Sequence, residues 1–133
     1  MKKAFLILSV LALILLPAAV FAADGDKPMV KFETKSHDFG NIREADGKVK
    51  YDFKFVNTSS VPTVILSAST TCGCTKADYP KHPVNPGDTA VINVTFNPKN
   101  YSGEFIKAVT VRTPNQRIKL KITGVVIPKS TEE

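Results

Sequence analysis

From Val30 onward, apolar and polar residues alternate in short runs separated by turn-forming residues. Val49-Lys50-Tyr51-Asp52-Phe53-Lys54-Phe55 alternates strictly, which places Val49, Tyr51, Phe53 and Phe55 on one face of a strand. Val30–Thr34 alternates in the same way, and Val64-Ile65-Leu66 opens a third strand. Ala90–Phe96 is a fourth, with Ala90, Ile92, Val94 and Phe96 toward the core. A fifth runs near Glu104–Arg112, where Phe105, Val109 and Val111 share a face. The sixth spans Arg117–Val126, with Ile118, Leu120, Ile122 and Val126 inward and lysines outward.

The connections carry the turn chemistry such strands require. Asn57-Thr58-Ser59-Ser60, Asn85-Pro86-Gly87-Asp88, Asn97-Pro98-Lys99-Asn100 and Thr113-Pro114-Asn115-Gln116 combine proline's fixed φ with residues that cap or tolerate tight turns. Asp46-Gly47 is a hairpin signal. Gly40 and Gly87 are expected at positive φ, Asn57 is expected to cap a strand end, and Gly103 to permit a bulge or a close approach. Beyond the N-terminal apolar run, no segment has the spacing of an amphipathic helix. Six or seven short strands over about 100 residues predict an all-β, antiparallel sandwich.

The N-terminus reads differently. Lys2 and Lys3 precede an apolar run from Ala4 to Val20, broken late by Pro17, and Val20-Phe21-Ala22 fits the small-residue cleavage rule. Residues 1–22 are therefore expected to be a signal peptide and not a retained anchor, since the run is at the short end for a membrane-spanning helix. No cysteine follows it, which removes a lipid anchor at the cleavage site. The expected organisation is a signal at 1–22, a flexible segment at 23–29, one domain at 30–127 and a tail at 128–133, in a periplasmic or secreted protein. About 110 residues suffice for one domain with a core.

Loss of Lys2 and Lys3 lowers the formal charge from +6 to +4. The remaining lysines, among them Lys31, Lys35, Lys48, Lys50, Lys54, Lys119 and Lys121, are interleaved with apolar residues, as on solvated strand faces. Without clustered arginine and stacking aromatics, nucleic acid is not an expected partner. An envelope protein or an acidic surface polymer is.

Catalytic groupings are sparse. His37 and His82 are the two histidines; neither lies in a Ser/His/Asp or Cys/His order, and His37 can simply bond Asp38. The acidic residues are dispersed and no glycine-rich phosphate loop is present, so no enzyme and no cofactor are expected. Chemistry concentrates at Cys72-Gly73-Cys74, which has three readings. A disulfide suits an oxidising compartment but needs a tight turn at Gly73, because an extended i, i+2 pair is at or beyond the Cα separation a disulfide accepts. A redox pair lacks the helix N-terminus that lowers a thiol pKa. A soft metal such as copper would take the two thiolates, with His82 eight residues on as a third ligand. The loops Thr71–Pro86 and Asn97–Gly103, with Tyr79, His82 and Tyr101, are the candidate binding loops.

His37-Asp38-Phe39-Gly40-Asn41-Ile42, Tyr51–Thr58, Thr71-Cys72-Gly73-Cys74-Thr75, Val84–Asp88, Gly103–Lys107 and Leu120–Val126 occur in an order that resembles the secreted bacterial domain-of-unknown-function family numbered 1573. The resemblance covers Val30–Val126 and implies a seven-stranded immunoglobulin-like sandwich, similar to cilium, centrosome and major-sperm-protein domains. It delivers no activity. Because the family is common in exported proteins of the Bacteroidota, Asp88-Thr89-Ala90 is also read as an O-glycosylation acceptor at Thr89. The functional expectation is a monomeric, exported, non-catalytic binding or assembly module of the envelope, with a thiol-based copper or redox protein as the alternative.

Overall fold

Hydrophobic alternation at a period of two buries one face of each strand, and two such faces close over a common core. The structure, a computed structural model, describes residues 28–130. The expected signal, residues 23–27 and residues 131–133 lie outside them. Among the described residues there are eight strands: β1 (Val30–Phe32), β2 (Ser36–Arg43), β3 (Val49–Asn57), β4 (Ser67–Thr70), β5 (Thr75–Asp78), β6 (Thr89–Phe96), β7 (Gly103–Arg112) and β8 (Arg117–Ile127). They form two four-stranded sheets in the orders β1-β3-β6-β5 and β2-β8-β7-β4. The all-β sandwich expected from the periodicity is the fold. Its one parallel pair among the described strands is β2–β8.

The core is supplied by both sheets. Phe53, Phe55, Ile92, Val94 and Phe96 project from one, and Phe105, Val109, Val111, Leu120, Ile122 and Val126 from the other, all essentially sealed from solvent. Phe96 stacks on Phe105 across the interface, ring centroids 4.1 Å apart. Each such side chain contributes about 1.5–3 kcal/mol of burial.

Four local expectations are corrected. The Asp46-Gly47 signal does not close a hairpin, because β2 and β3 belong to different sheets and β3 already has β1 and β6 as neighbours. Glu44–Asp46 is a 3-10 turn, and Gly47, at φ 80°, donates its N–H to Glu44 O as the chain crosses between sheets. Val64–Leu66 is likewise a crossing: Thr63 bridges Val84, Leu66 N–H is donated to Arg112 O, and β4 starts only at Ser67. His37 does not bond Asp38. Its ring stacks on Tyr51 of the opposite sheet at 3.7 Å, while Asp38 Oδ1 accepts the Gly40 N–H at 2.8 Å. Gly103 has φ 85° with open space around it, so conformation and not close approach selects glycine there. Gly40 and Gly87 have the positive φ their context predicts.

Candidate functional site

Strand register assigns the loops to two ends of the sandwich. One end carries residues 44–48, 71–74, 97–102 and 128–130. The level of Val49 and Thr75 with Phe96, and of Arg43 with Ile127, brings these together. The other end carries 57–66, 79–88 and 113–116.

At the first end, Cys72 and Cys74 are joined by a disulfide with Cα atoms 5.2 Å apart, in a turn closed by the Thr75 N–H on Cys72 O. Thr70 Oγ1 lies 3.0 Å from Cys72 O and 2.9 Å from Thr75 O, so its single proton is shared between the carbonyls at the two ends of the turn. Asn97 donates its N–H to Cys74 O at 2.8 Å, joining the turn to the β6–β7 loop. In that loop Tyr101 is half-buried, edge-on to Phe96 and Phe105, so its ring packs on the core. Glu44 clips the same end: Oε1 accepts the Asn100 N–H and Oε2 the Lys129 N–H. These two backbone donors, with the Lys129 charge, hold its carboxyl below the usual carboxylate range.

At the second end stand Tyr79, His82 and Thr89. Tyr79 is half-buried, with its hydroxyl on Leu66 O and the Lys81 ammonium over its ring. His82 and Thr89 are exposed. Strand β5 separates His82 from the cysteine pair, and among the described residues no three His, Cys, Asp or Glu side chains gather as a metal set. Asn57, fully buried, organises this end: Nδ2 donates to Val61 O and Val84 O, and Oδ1 accepts from Ser59 N and Oγ.

Sequence reasoning missed a concavity built from distant segments. A cleft of about 1000 Å³ opens between β1 and the start of β8, lined by Met29, Phe32, Ser60, Val61, Gln116 and Ile118, with Lys31 and Lys35 at its wall. Gln116 Oε1 spans it, accepting the Met29 and Val30 N–H groups at 2.8 and 3.1 Å. No local motif marks it, because residues nearly 90 apart in the chain build it.

No helix among the described residues is long and apolar enough to cross a membrane. Known structures share the fold at low identity. A protein of unknown function from Porphyromonas gingivalis W83 is 13% identical, with a TM-score of 0.63 over 73% of this chain and 46% of that one. The ASH/PapD-like domain 7 of human CEP192 is 11% identical, with a TM-score of 0.60 over 78% and 91%. The VesB protease of Vibrio cholerae is 10% identical, with a TM-score of 0.57 over 77% of this chain and 33% of the protease. The chain thus spans less than half the length of the Porphyromonas and Vibrio proteins. Among curated proteins none matches by sequence. The family described as "Protein of unknown function (DUF1573)" matches residues 30–126, the whole sandwich, and the chain belongs to that family, with an immunoglobulin-like fold of the PapD-like kind.

Proposed function

We propose that the chain is exported to the periplasm or beyond and acts there as a monomeric, non-catalytic binding or assembly module of the cell envelope. The observation that carries this reading is the cleft beside β1, a preformed concavity flanked by strand edges and not by a reactive cluster. Among the described residues, no hydrogen bond joins His37 or His82 to a hydroxyl or thiol, as a nucleophile–base pair would require. The signal pattern of residues 1–22 supports the address.

Full-length chain carrying a photo-crosslinking benzoylphenylalanine at Ser60, in the cleft wall, tests it in its native envelope. Discrete protein adducts at Ser60, absent when the same group replaces exposed Ser69 on β4, are expected, together with loss of residues 1–22 in the intact mass. Equal labelling from both positions, or none, refutes the binding role.

A further inference from the structure

We propose that the cleft takes an extended peptide whose side chains alternate between apolar and acidic, laid along the free edge of β1. This rests on the reading of the chain as a binding module and names the chemistry of its partner. Strand β1 pairs with β3 on one side only. Met29 C=O and Glu33 N–H both turn toward β3, accepting from Thr58 N at 2.9 Å and donating to Lys54 O at 3.0 Å. The period of two therefore turns Val30 and Phe32 the other way. Val30 N–H already meets Gln116 Oε1 on that side, which leaves Phe32 N–H and C=O directed into the cleft.

The opposite wall is also an uncovered edge. β2 begins at Ser36, level with Lys121, so no described strand flanks Arg117–Leu120 on the β2 side. Two short strand edges thus border a space of about 1000 Å³, at the upper end for ligand clefts. A guest strand pairing with Phe32 would place alternate side chains inward against Met29, Phe32 and Ile118, and beside Val61, which is half exposed. Its other side chains would point out toward Lys31 and Lys35. Among the described residues no Asp or Glu lines the cleft, Glu33 standing exposed between the two lysines but outside the lining, so acidic outward residues complement it.

A second copy is a poorer guest. Two-fold pairing of β1 with itself would set Lys31 near its own equivalent, and like charges across strands destabilise. An anionic polysaccharide would meet the lysines but leave the Phe32 backbone groups and the apolar wall unused.

The experiment titrates protein purified from cells expressing the full chain with a fluorescein-labelled octapeptide of alternating valine and glutamate, read by anisotropy. Saturable binding is expected, weakened about tenfold or more by Lys31→Glu with Lys35→Glu, since paired charge reversals remove attraction and add repulsion. Binding should slow hydrogen exchange at the Phe32 amide and leave Lys31 unchanged. The milder Lys31→Gln with Lys35→Gln, checked for an unaltered melting curve, should give an intermediate loss. Equal affinity for a valine–lysine octapeptide, indifference to both double variants, or displacement of the peptide by polygalacturonate with no change at Phe32 each overturns the proposal. Persistence of the Ser60 adducts alongside such a result leaves the binding role standing and removes only this partner chemistry. Absence of the adducts removes the role itself.

Discussion

Gly124 lies beneath the ring of Phe105, its direct partner across the β7–β8 pair. A Cβ on Gly124 would come within 2.7 Å of Phe105 Cε1 and 3.0 Å of Gly40 O. The ring is held from the other sheet by its stack on Phe96, so it has little freedom to withdraw. Gly124→Ala should cost about 1–3 kcal/mol, the usual range for overpacking. A lowered urea midpoint with unchanged slope is the expected signature. Gly73→Ala, at a position with open space and no positive φ, should be close to neutral in the same assay; equal effects of the two changes would contradict the packing account.

Asn57 joins the β3–β4 connection to the β5–β6 turn through both ends of its amide. Its main chain is engaged as well, donating to Asp88 O and accepting from Gly87 N. Asn57→Ala keeps the backbone bonds but removes the amide donor shared by Val61 O and Val84 O, which retain Ser59 Oγ and the Thr63 N–H respectively, and removes the acceptor of the Ser59 N–H. A loss of about 1–3 kcal/mol is expected from the amide bonds removed at a buried side chain. Equilibrium denaturation measures it, and a change under 1 kcal/mol would mean that water replaces the amide.

The Cys72–Cys74 bond closes a very short loop, and the chain-entropy account assigns such a loop only about 1.6 kcal/mol, against about 3 for fifteen residues. Non-covalent bonds hold the same turn: Thr75 N–H on Cys72 O, Asn97 N–H on Cys74 O, and the Thr70 hydroxyl. Reduction, or Cys72→Ser with Cys74→Ser, should therefore lower stability modestly and preserve the folded amide spectrum. Global unfolding under mild reductant would show that the staple matters far more than its loop length implies.

Glu44 supplies the pH dependence. The Asn100 and Lys129 N–H groups lower its folded pKa relative to the unfolded chain. The carboxylate's contribution is present above the unfolded value and is lost as pH falls through the folded one. Glu44→Gln should consequently lower the melting temperature at neutral pH and shrink the difference from the parent in acid. Amide exchange at Asn100 and Lys129 is the local readout; a variant whose deficit grows on acidification would reverse the sign of this linkage.

Much of the fold is legible without coordinates because burial imposes a period. Val49 to Phe55, Ala90 to Phe96 and Ile118 to Ile122 show their inward faces directly, and the buried residues are those the alternation selects. Strand β2 is less legible, since its half-buried His37, Phe39 and Ile42 are spaced irregularly around a register shift between Asp38 and Asn41. The Asp46-Gly47 dipeptide describes a local bend accurately while saying nothing of which strands it joins.

Site prediction divides along the same line. Cys72 and Cys74 are adjacent in sequence, so their approach through a turn at Gly73 is a local matter. His82 is also near in sequence, yet β5 carries it to the other end of the sandwich, and Tyr101, read as a contact residue, packs against Phe96 and Phe105. Lys31 and Lys35 read as an ordinary solvated face until Gln116 and Ile118 are set opposite them.

The sequence by itself carried the family resemblance in its ordered motifs and determined strands β1, β3, β6, β7 and β8 with the face each buries, but not β2, β4 or β5. Those properties follow from local alternation and turn chemistry. Only the tertiary structure decided that β2 runs parallel to β8, that Glu44 clips two distant segments, and that a cleft stands between β1 and β8. Each of these depends on pairing across long stretches of chain, where backbone hydrogen bonds are alike for every residue and select a partner only through packing of the whole.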